Sequence, residues 1–368
     1  MKLSGLRLAV VGPLPPPAGG MANQTRQLAD KLSAEGVKVE LVQTNAPYRP
    51  AWAGRIRGLR AFARLLPYLA ALWRAAGRND LMHVMANSGW SWHLFAAPAI
   101  RIARLRGCPV IVNYRGGEAA DFLQGHAIRV RSTMARASLL VVPSGFLQEV
   151  FGRFGMSAEV LPNAVDVERF SPTPRREVGH APHLIVTRNL EALYDNETAI
   201  RAMAILRVRY PQARLTVAGE GPERERLIAL VTQLGLQDAV SFVGRLDRAG
   251  VAELYARADA MLNPSRVDNT PNSVLEALAC GVPVVSTRVG GVPFLVSDGT
   301  TALLVPPGDP AAMAAAVIRL FDTPGLVEQL HRQGLEHVSQ FAWPKVRQRL
   351  AVVYGSVLSG TDNPGTSV

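Results

Sequence analysis

Short apolar runs recur along this chain, and segments with helical spacing separate most of them, in two successive series. The first series is Leu6–Val11, Val37–Val42, Leu81–Val84, Val110–Asn113 and Leu139–Pro143. The second is His183–Thr187, Arg214–Ala218, Val240–Val243, Ala260–Asn263, Val282–Ser286 and Ala302–Val305. Continuously apolar strands alternating with helices are the mark of parallel sheets covered on both faces. The expected fold class is α/β, with two doubly wound, Rossmann-like parallel-sheet domains facing a cleft. A length of 368 residues agrees with two cores. The break falls in Ser171–Pro182, SPTPRREVGHAP, which is rich in Pro, Gly and charge. Domains are therefore expected over 1–172 and 180–342. The helix 343–358 is expected to pack back on the first, and 359–368 to be a disordered tail.

With 48% apolar and 19% charged residues the composition is that of ordinary globular protein. Two cysteines, Cys108 and Cys280, support neither a disulfide framework nor a zinc site and suit a reducing compartment. The apolar run Leu8–Val11 is too short for a signal peptide, and no apolar stretch reaches bilayer length. The expected location is cytoplasmic, free or at the inner face of the plasma membrane. The net charge of +11 is one-sided. Residues 1–180 carry 23 Lys/Arg against 11 Asp/Glu, and residues 181–368 carry 17 against 18. Such asymmetry points to an anionic partner for the first half or to simple solubility in an Arg-rich chain. Trp52–Arg78, WAGRIRGLRAFARLLPYLAALWRAAGR, intersperses Arg with Trp, Leu, Ile and Phe and contains no acid. It reads as an in-plane interfacial helix at an anionic membrane, with Pro67 as a kink or boundary, or else as a helix on the sheet with Arg at its rim. No nucleic-acid reader motif is present, and no nucleic-acid partner is expected.

The chemistry concentrates in DNTPNSVLEALACG, Asp268–Gly281. The segment follows a strand, so its loop belongs at a carboxyl end, where open parallel sheets bind ligands. Asn272 or Ser273 is expected to cap the helix that starts there. A helix start offers free N–H groups and the positive end of a dipole, which suits a diphosphate. Asp268 and Glu276 on its flanks suit sugar hydroxyls, and together they fit a nucleotide sugar. Taken alone, Glu276 equally complements a helix dipole and Asp268 a turn.

The surrounding residues resemble the retaining glycosyltransferases of the large bacterial family 4, with the GT-B fold. The matching stretches are D268-NTPNSVL-E276-ALACGVPVVST, AGEGPERERL (218–227), GRL (244–246), ARADAMLNPS (256–265) and RVGGVPFLVSDGTTALLVPPGD (288–309). The first half adds PAGGM (17–21) and VLPNAVDVERFSP (160–172). The resemblance implies that Glu276 holds ribose hydroxyls. Asp268 would hold the donor sugar, beside the amides of Asn269, Thr270, Pro271 and Asn272. The amides of Ser273 and Val274 would face the diphosphate, which Arg188 would pair with. Gly19, Gly20 and Gly219 would admit close backbone approach, and Gly244 and Arg245 would lie by the base. It also implies a hexose-type donor, a saccharide or lipid-linked acceptor, transfer with retention, and no bound metal or other cofactor. No Asp-x-Asp motif or His ligand pattern is present.

Departures from the family pattern are specific. Asp268 stands where Glu is usual, and Tyr194 or Asp195 where a Lys shares the diphosphate charge. No Lys occurs between Lys38 and Lys345. NYRGGEAADF (113–122) replaces a His-Gly, which makes Arg115 a substitute cation and Glu118 an acceptor-side acid; a loop with solvated charges is the other reading. Phe294 replaces a Glu and is expected in the core. Together these suggest a divergent active subfamily. An epimerase of the same fold and a non-catalytic sugar-nucleotide-binding subunit are the alternatives, and the long Lys-free interval argues against a pyridoxal-dependent phosphorylase.

Overall fold

The computed structural model describes residues 3–16, 19–48, 56, 59–173 and 181–360, and the chain divides into two compact units. The first runs to Ala164 and resumes at Trp343; the second is Val165–Ala342. The chain thus enters the second unit before the Pro/Gly-rich stretch 171–182. Val165 N donates to Phe341 O at 2.9 Å and Phe170 is buried against Tyr255, so these residues belong to the second core. Residues 174–180 of that stretch, and 361–368 of the expected tail, lie outside the described residues.

The first unit orders its elements as β1 (Arg7–Gly12), α1 (Gly20–Ala34), β2 (Lys38–Gln43), α2 (Leu59–Ala76), β3 (Leu81–Ala86), a π-helical turn at Trp92–Ala96, α3 (Ala97–Leu105), β4 (Val110–Tyr114), α4 (Ala119–Met134), β5 (Leu139–Val142), α5 (Gly145–Arg153) and β6 (Glu159–Val160). Its six strands are all parallel, in the order β2-β1-β3-β4-β5-β6. Two-residue β6 is too short for any periodicity to reveal. Helix α2 continues through Pro67, which is therefore neither its start nor its end. Trp52, Arg55 and Arg57 of the basic segment lie outside the described residues.

The second unit follows with β7 (His183–Val186), a 3-10 turn at Ala192–Tyr194, α6 (Asn196–Arg209), β8 (Arg214–Ala218), α7 (Arg224–Gln233), β9 (Val240–Gly244), α8 (Arg248–Arg257), β10 (Ala260–Asn263), α9 (Asn272–Ala279), β11 (Val284–Thr287), α10 (Val292–Leu295), β12 (Leu303–Val305), α11 (Pro310–Asp322) and α12 (Leu326–Val338). Its strands are parallel in the order β12-β11-β10-β7-β8-β9. Strand β11 begins at Val284 rather than Val282, because Gly281 turns the chain at φ +70° and Pro283 follows. Phe294 is half exposed, not in the core: four-residue α10 turns Val292 and Leu295 inward instead. No single helix among the described residues is long and apolar enough to cross a membrane.

Strand periodicity of two explains the cores. In the first unit Ala9, Val11, Met82, Val84 and Val112 enter one apolar cluster, and the alternate residues Leu8, Val10, Leu81 and Ile111 enter another. The second cluster is closed by α13 (Trp343–Leu358), whose Leu350, Val353 and Tyr354 are buried on it. The C-terminal segment is thus a structural layer of the first unit. Leu350 is fully buried, whereas Val352 is 70% exposed. In urea unfolding, Leu350→Ala is expected to destabilise the first unit by about 2–5 kcal/mol and Val352→Ala by well under ~1 kcal/mol. Equal effects would show that α13 does not seal this face.

Candidate functional site

In the second unit, loops at the carboxyl ends of β7, β8 and β10 converge on the start of α9. Arg188, two residues beyond β7, reaches both flanks of that start. Its Nη2 donates to Asp268 Oδ2 at 2.7 Å and its Nη1 to Ser273 Oγ at 3.3 Å. The pair is nearly withdrawn from solvent, at 11% and 9% side-chain exposure. Such a pair holds a fixed geometry, because parting it leaves an uncompensated buried charge. Below the guanidinium lies the Tyr194 ring, 4.0 Å away at its centroid. The position expected to carry a Lys therefore carries an aromatic face that steadies Arg188. Asp195 is engaged elsewhere. At φ +44° it precedes α6, accepts from Thr198 Oγ1 at 2.8 Å and pairs with Arg266 Nε at 2.9 Å.

Helix α9 begins at Asn272, and its cap position is Pro271, with no side-chain cap, rather than Asn272 or Ser273. Proline's fixed φ pre-sets the entry, Val274 N donates to Pro271 O at 3.1 Å, and no side chain caps the start. Two buried polar atoms around it, Arg188 Nε and Thr270 Oγ1, have no hydrogen-bond partner among the described residues. Buried polar atoms without a protein partner are rare, and both can still bond to water or to a bound group.

Two acids flank this helix start. Burial raises the Asp268 carboxyl above its ordinary value; Arg188, the Ser265 and Asn263 side chains and the Asn269 amide pull it back. Glu276, on α9, is partly covered and loses most of its hydration. Its carboxyl rises to about 7, against opposing pulls from Arg248 and Arg188.

Glycines set the close approaches. A Cβ on Gly219 would stand 2.1 Å from the Arg188 carbonyl oxygen, and one on Gly291 1.8 Å from the Asn269 carbonyl oxygen. Gly291 N also donates to Asp268 O at 2.9 Å, so the Gly290–Gly291 turn clamps the acid loop from behind. Tyr255 of α8 ties the frame together: its hydroxyl donates to Ser273 O at 2.9 Å and accepts from Thr187 Oγ1 at 2.8 Å. Gly244 ends β9 at φ +70°, and Arg245 beside it stands 4.0 Å from Glu220 on the loop that holds Gly219. Asp268, Asn269, Thr270, Pro271, Asn272, Ser273, Val274, Glu276, Arg188 and Gly219 thus share one locality, with Gly244 and Arg245 at its edge.

The remaining expected residues belong to the first unit. Gly19 and Gly20 open α1, where an added Cβ would meet nothing within 4 Å. Arg115 follows β4 and donates to Asn113 Oδ1 and Asn163 Oδ1. Glu118 is exposed at the start of α4.

Comparison with known proteins decides the family. Residues 18–169 match the profile described as Glycosyltransferase Family 4, and residues 181–323 match that of Glycosyl transferases group 1. The chain is a glycosyltransferase of this family. It is 27% identical to a protein named glycogen synthase from Mycobacterium tuberculosis, over 94% of this chain and 93% of that one. It is 28% identical to the D-inositol 3-phosphate glycosyltransferase of Actinosynnema mirum, over 92% of each. Among solved structures, sucrose-phosphate synthase from Thermosynechococcus elongatus superposes with a TM-score of 0.78 at 22% identity, covering 96% of this chain and all of that one. Anabaena HepE in complex with UDP-glucose gives 0.73 at 18% identity, covering 95% and 100%. These likenesses establish the GT-B fold.

Sequence reasoning on this glycosyltransferase misses Tyr255 and the bracing role of Tyr194. Tyr255 stands one residue ahead of the matching stretch 256–265, and nothing in its spacing distinguishes it from a core aromatic. Glu276 carries a consequence for stability. A carboxyl raised on folding contributes nothing below its ordinary value of 4.5, and its cost grows as pH rises to about 7. Between those limits the wild type is expected to lose up to about 3 kcal/mol relative to Glu276→Gln. Urea midpoints measured across this range test it, since Asp268 is common to both proteins. Parallel pH curves would show that Glu276 is not desolvated.

Proposed function

We propose that this glycosyltransferase moves a hexose-type sugar from a nucleoside-diphosphate sugar to a saccharide or lipid-linked acceptor, with retention of anomeric configuration, in polysaccharide or glycolipid assembly. The observation that carries the reading is Arg188, held by Asp268 and Ser273 at the start of α9, with an unpartnered Nε. A guanidinium with an unpartnered Nε beside the start of a helix suits phosphate oxygens. Glu276 takes the ribose hydroxyls, and Asp268 with the 269–272 loop, in which every residue but Pro271 carries a backbone N–H, takes the sugar. Gly244 and Arg245 flank the base, and Gly19 and Gly20 admit the phosphate and sugar. HepE, which shares the fold, is described in complex with UDP-glucose, in line with a nucleotide-sugar donor.

Departure of the diphosphate is the step these groups assist. Charge gathers on the leaving oxygens as the anomeric carbon gains oxocarbenium character, and Arg188 with the α9 dipole stabilises that charge without a bound metal. The acceptor hydroxyl attacks the face the diphosphate leaves, and a phosphate oxygen takes its proton, so no protein nucleophile is required. A thermal-shift screen of UDP-, GDP-, ADP- and dTDP-sugars tests the donor assignment. One donor is expected to raise the wild-type Tm by several degrees, and Glu276→Ala to lose most of that rise. An equal response of both proteins to every donor removes Glu276 from the ribose.

The basic segment fits an acceptor anchored in lipid. On α2, Phe62, Leu66 and Trp73 are exposed, Arg106 stacks over Trp73 at 4.9 Å and Arg64 over Tyr48 at 4.2 Å. Exposed apolar groups among arginines bind an anionic membrane surface from the cytoplasmic side. The protein is expected to sediment with vesicles containing anionic lipid but not with purely zwitterionic ones, and Leu66→Asp with Trp73→Asp to abolish this. Unaltered sedimentation of the double variant would rule α2 out as the contact.

A further inference from the structure

A line of buried polar groups runs along the otherwise apolar face that α13 covers in the first unit. His83 Nδ1 lies 2.9 Å from Tyr354 Oη, and His83 Nε2 lies 3.0 Å from Asn113 Nδ2. Asn113 Oδ1 accepts from Arg115 Nε at 3.2 Å, which turns its NH2 toward His83. The amide therefore donates to Nε2, and His83 carries its proton on Nδ1 and donates to the Tyr354 hydroxyl. The ring is neutral, because burial first and the Arg115 charge second depress its pKa to about 3. A neutral His with both nitrogens engaged is a rigid spacer. It joins α13, through β3 and β4, to the loop beyond the carboxyl end of β4.

What this line holds in place is Arg115. Its Nη1 donates to Asn163 Oδ1 and its backbone N to Ala86 O at 2.9 Å. Both side-chain anchors are neutral amides, and among the described residues no carboxylate pairs with the guanidinium. Burial alone lowers its pKa, to about 10. The loop beside it is fixed: a Cβ on Gly116 would come 2.5 Å from Ser88 Oγ, itself 2.6 Å from Tyr114 Oη. Desolvating a cation without a counter-charge is costly. Arg188 in the second unit carries its own carboxylate, whereas Arg115 is held by groups that orient it and leave its charge unspent.

We propose that Arg115 is an anion subsite that takes a phosphate group of a substrate, with Asn113, His83 and Tyr354 as the residues that position it. The fork geometry of guanidinium suits phosphate oxygens. This deepens the proposed transfer reaction and rests on it only for which substrate brings the phosphate.

Calorimetric titration of the full chain with inorganic phosphate tests the subsite without any nucleotide. Arg115→Gln is expected to weaken phosphate by about tenfold or more, and Arg115→Lys, which keeps charge but not the fork, by less. Asn113→Ala leaves Arg115 in the chain and is expected to weaken phosphate by several-fold; a purely structural Asn113 would lower the Tm and leave phosphate affinity unchanged. Equal phosphate affinity in wild type and Arg115→Gln, or no phosphate binding by the wild type, overturns the proposal. If Asn113→Ala binds phosphate as the wild type does, the positioning role is overturned. The source is read by repeating the titration with UDP and GDP. Weaker nucleotide binding by Arg115→Gln assigns the phosphate to the donor, and unchanged nucleotide binding with weakened phosphate assigns it to the acceptor. A failed donor screen would leave the phosphate result standing, and the reverse also holds.

Discussion

The Arg188–Asp268 pair is the constraint around which the second unit arranges its loops. It joins the end of β7 to the loop after β10 with both groups almost dry. Removing either partner would strand a buried charge, at a cost of roughly 3–5 kcal/mol. The neighbouring features follow from it. Gly219 has no side chain because the Arg188 carbonyl occupies that space, and Gly291 because the Asn269 carbonyl does. Tyr255 fastens Thr187 to the first turn of α9, so the cation and the helix start keep one spacing. A binding surface for a diphosphate needs this pre-organisation, since rotamers ordered beforehand are not ordered at the ligand's expense.

The first unit solves a related problem by other means. Its cation has no acid partner among the described residues, and its orientation comes from amides and a neutral imidazole. A carboxylate neighbour would have made Arg115 less costly to bury and would have offset part of its attraction for an incoming anion. The cost is carried by the fold: α13 covers the line with Leu350 and Val353 and supplies Tyr354 as its far end. This gives the return of the C-terminal helix a physical purpose beyond closing an apolar face.

Much of this is legible in the residues. Continuous apolar strands such as LMHV and VIVN announce parallel sheets, because both faces must be covered, and D268-NTPNSVL-E276 announces the loop and helix that form the site. The cap falls elsewhere than the residue types suggest. Asn and Ser usually cap by their side chains, whereas here Pro271 fixes the entry by its ring and no side chain caps the start. Phe294 lies outside the core because a four-residue helix shows too little periodicity to tell its inner from its outer face in advance. His83 and Tyr354 lie 271 positions apart, and no local pattern links residues that meet only through strand order and a returning helix.

Tyr194 bears on whether the divergent pattern reflects use or decay. Losing a Lys from a diphosphate site subtracts charge, and a site under no demand would accumulate small or polar replacements there. Instead the position holds a ring whose face meets the Arg188 guanidinium at 4.0 Å, a contact worth about 2 kcal/mol where water is largely excluded. It offsets part of the cost of keeping that cation dry and fixes the plane of its fork. Nε meanwhile remains buried and unpartnered. A chain free to drift would relieve such a group, because an unsatisfied buried donor costs about 1–3 kcal/mol and solvent exposure or a nearby carbonyl removes the penalty. A buried, unpartnered Nε braced by an aromatic ring fits the proposed reading, in which a substrate group makes the remaining bond.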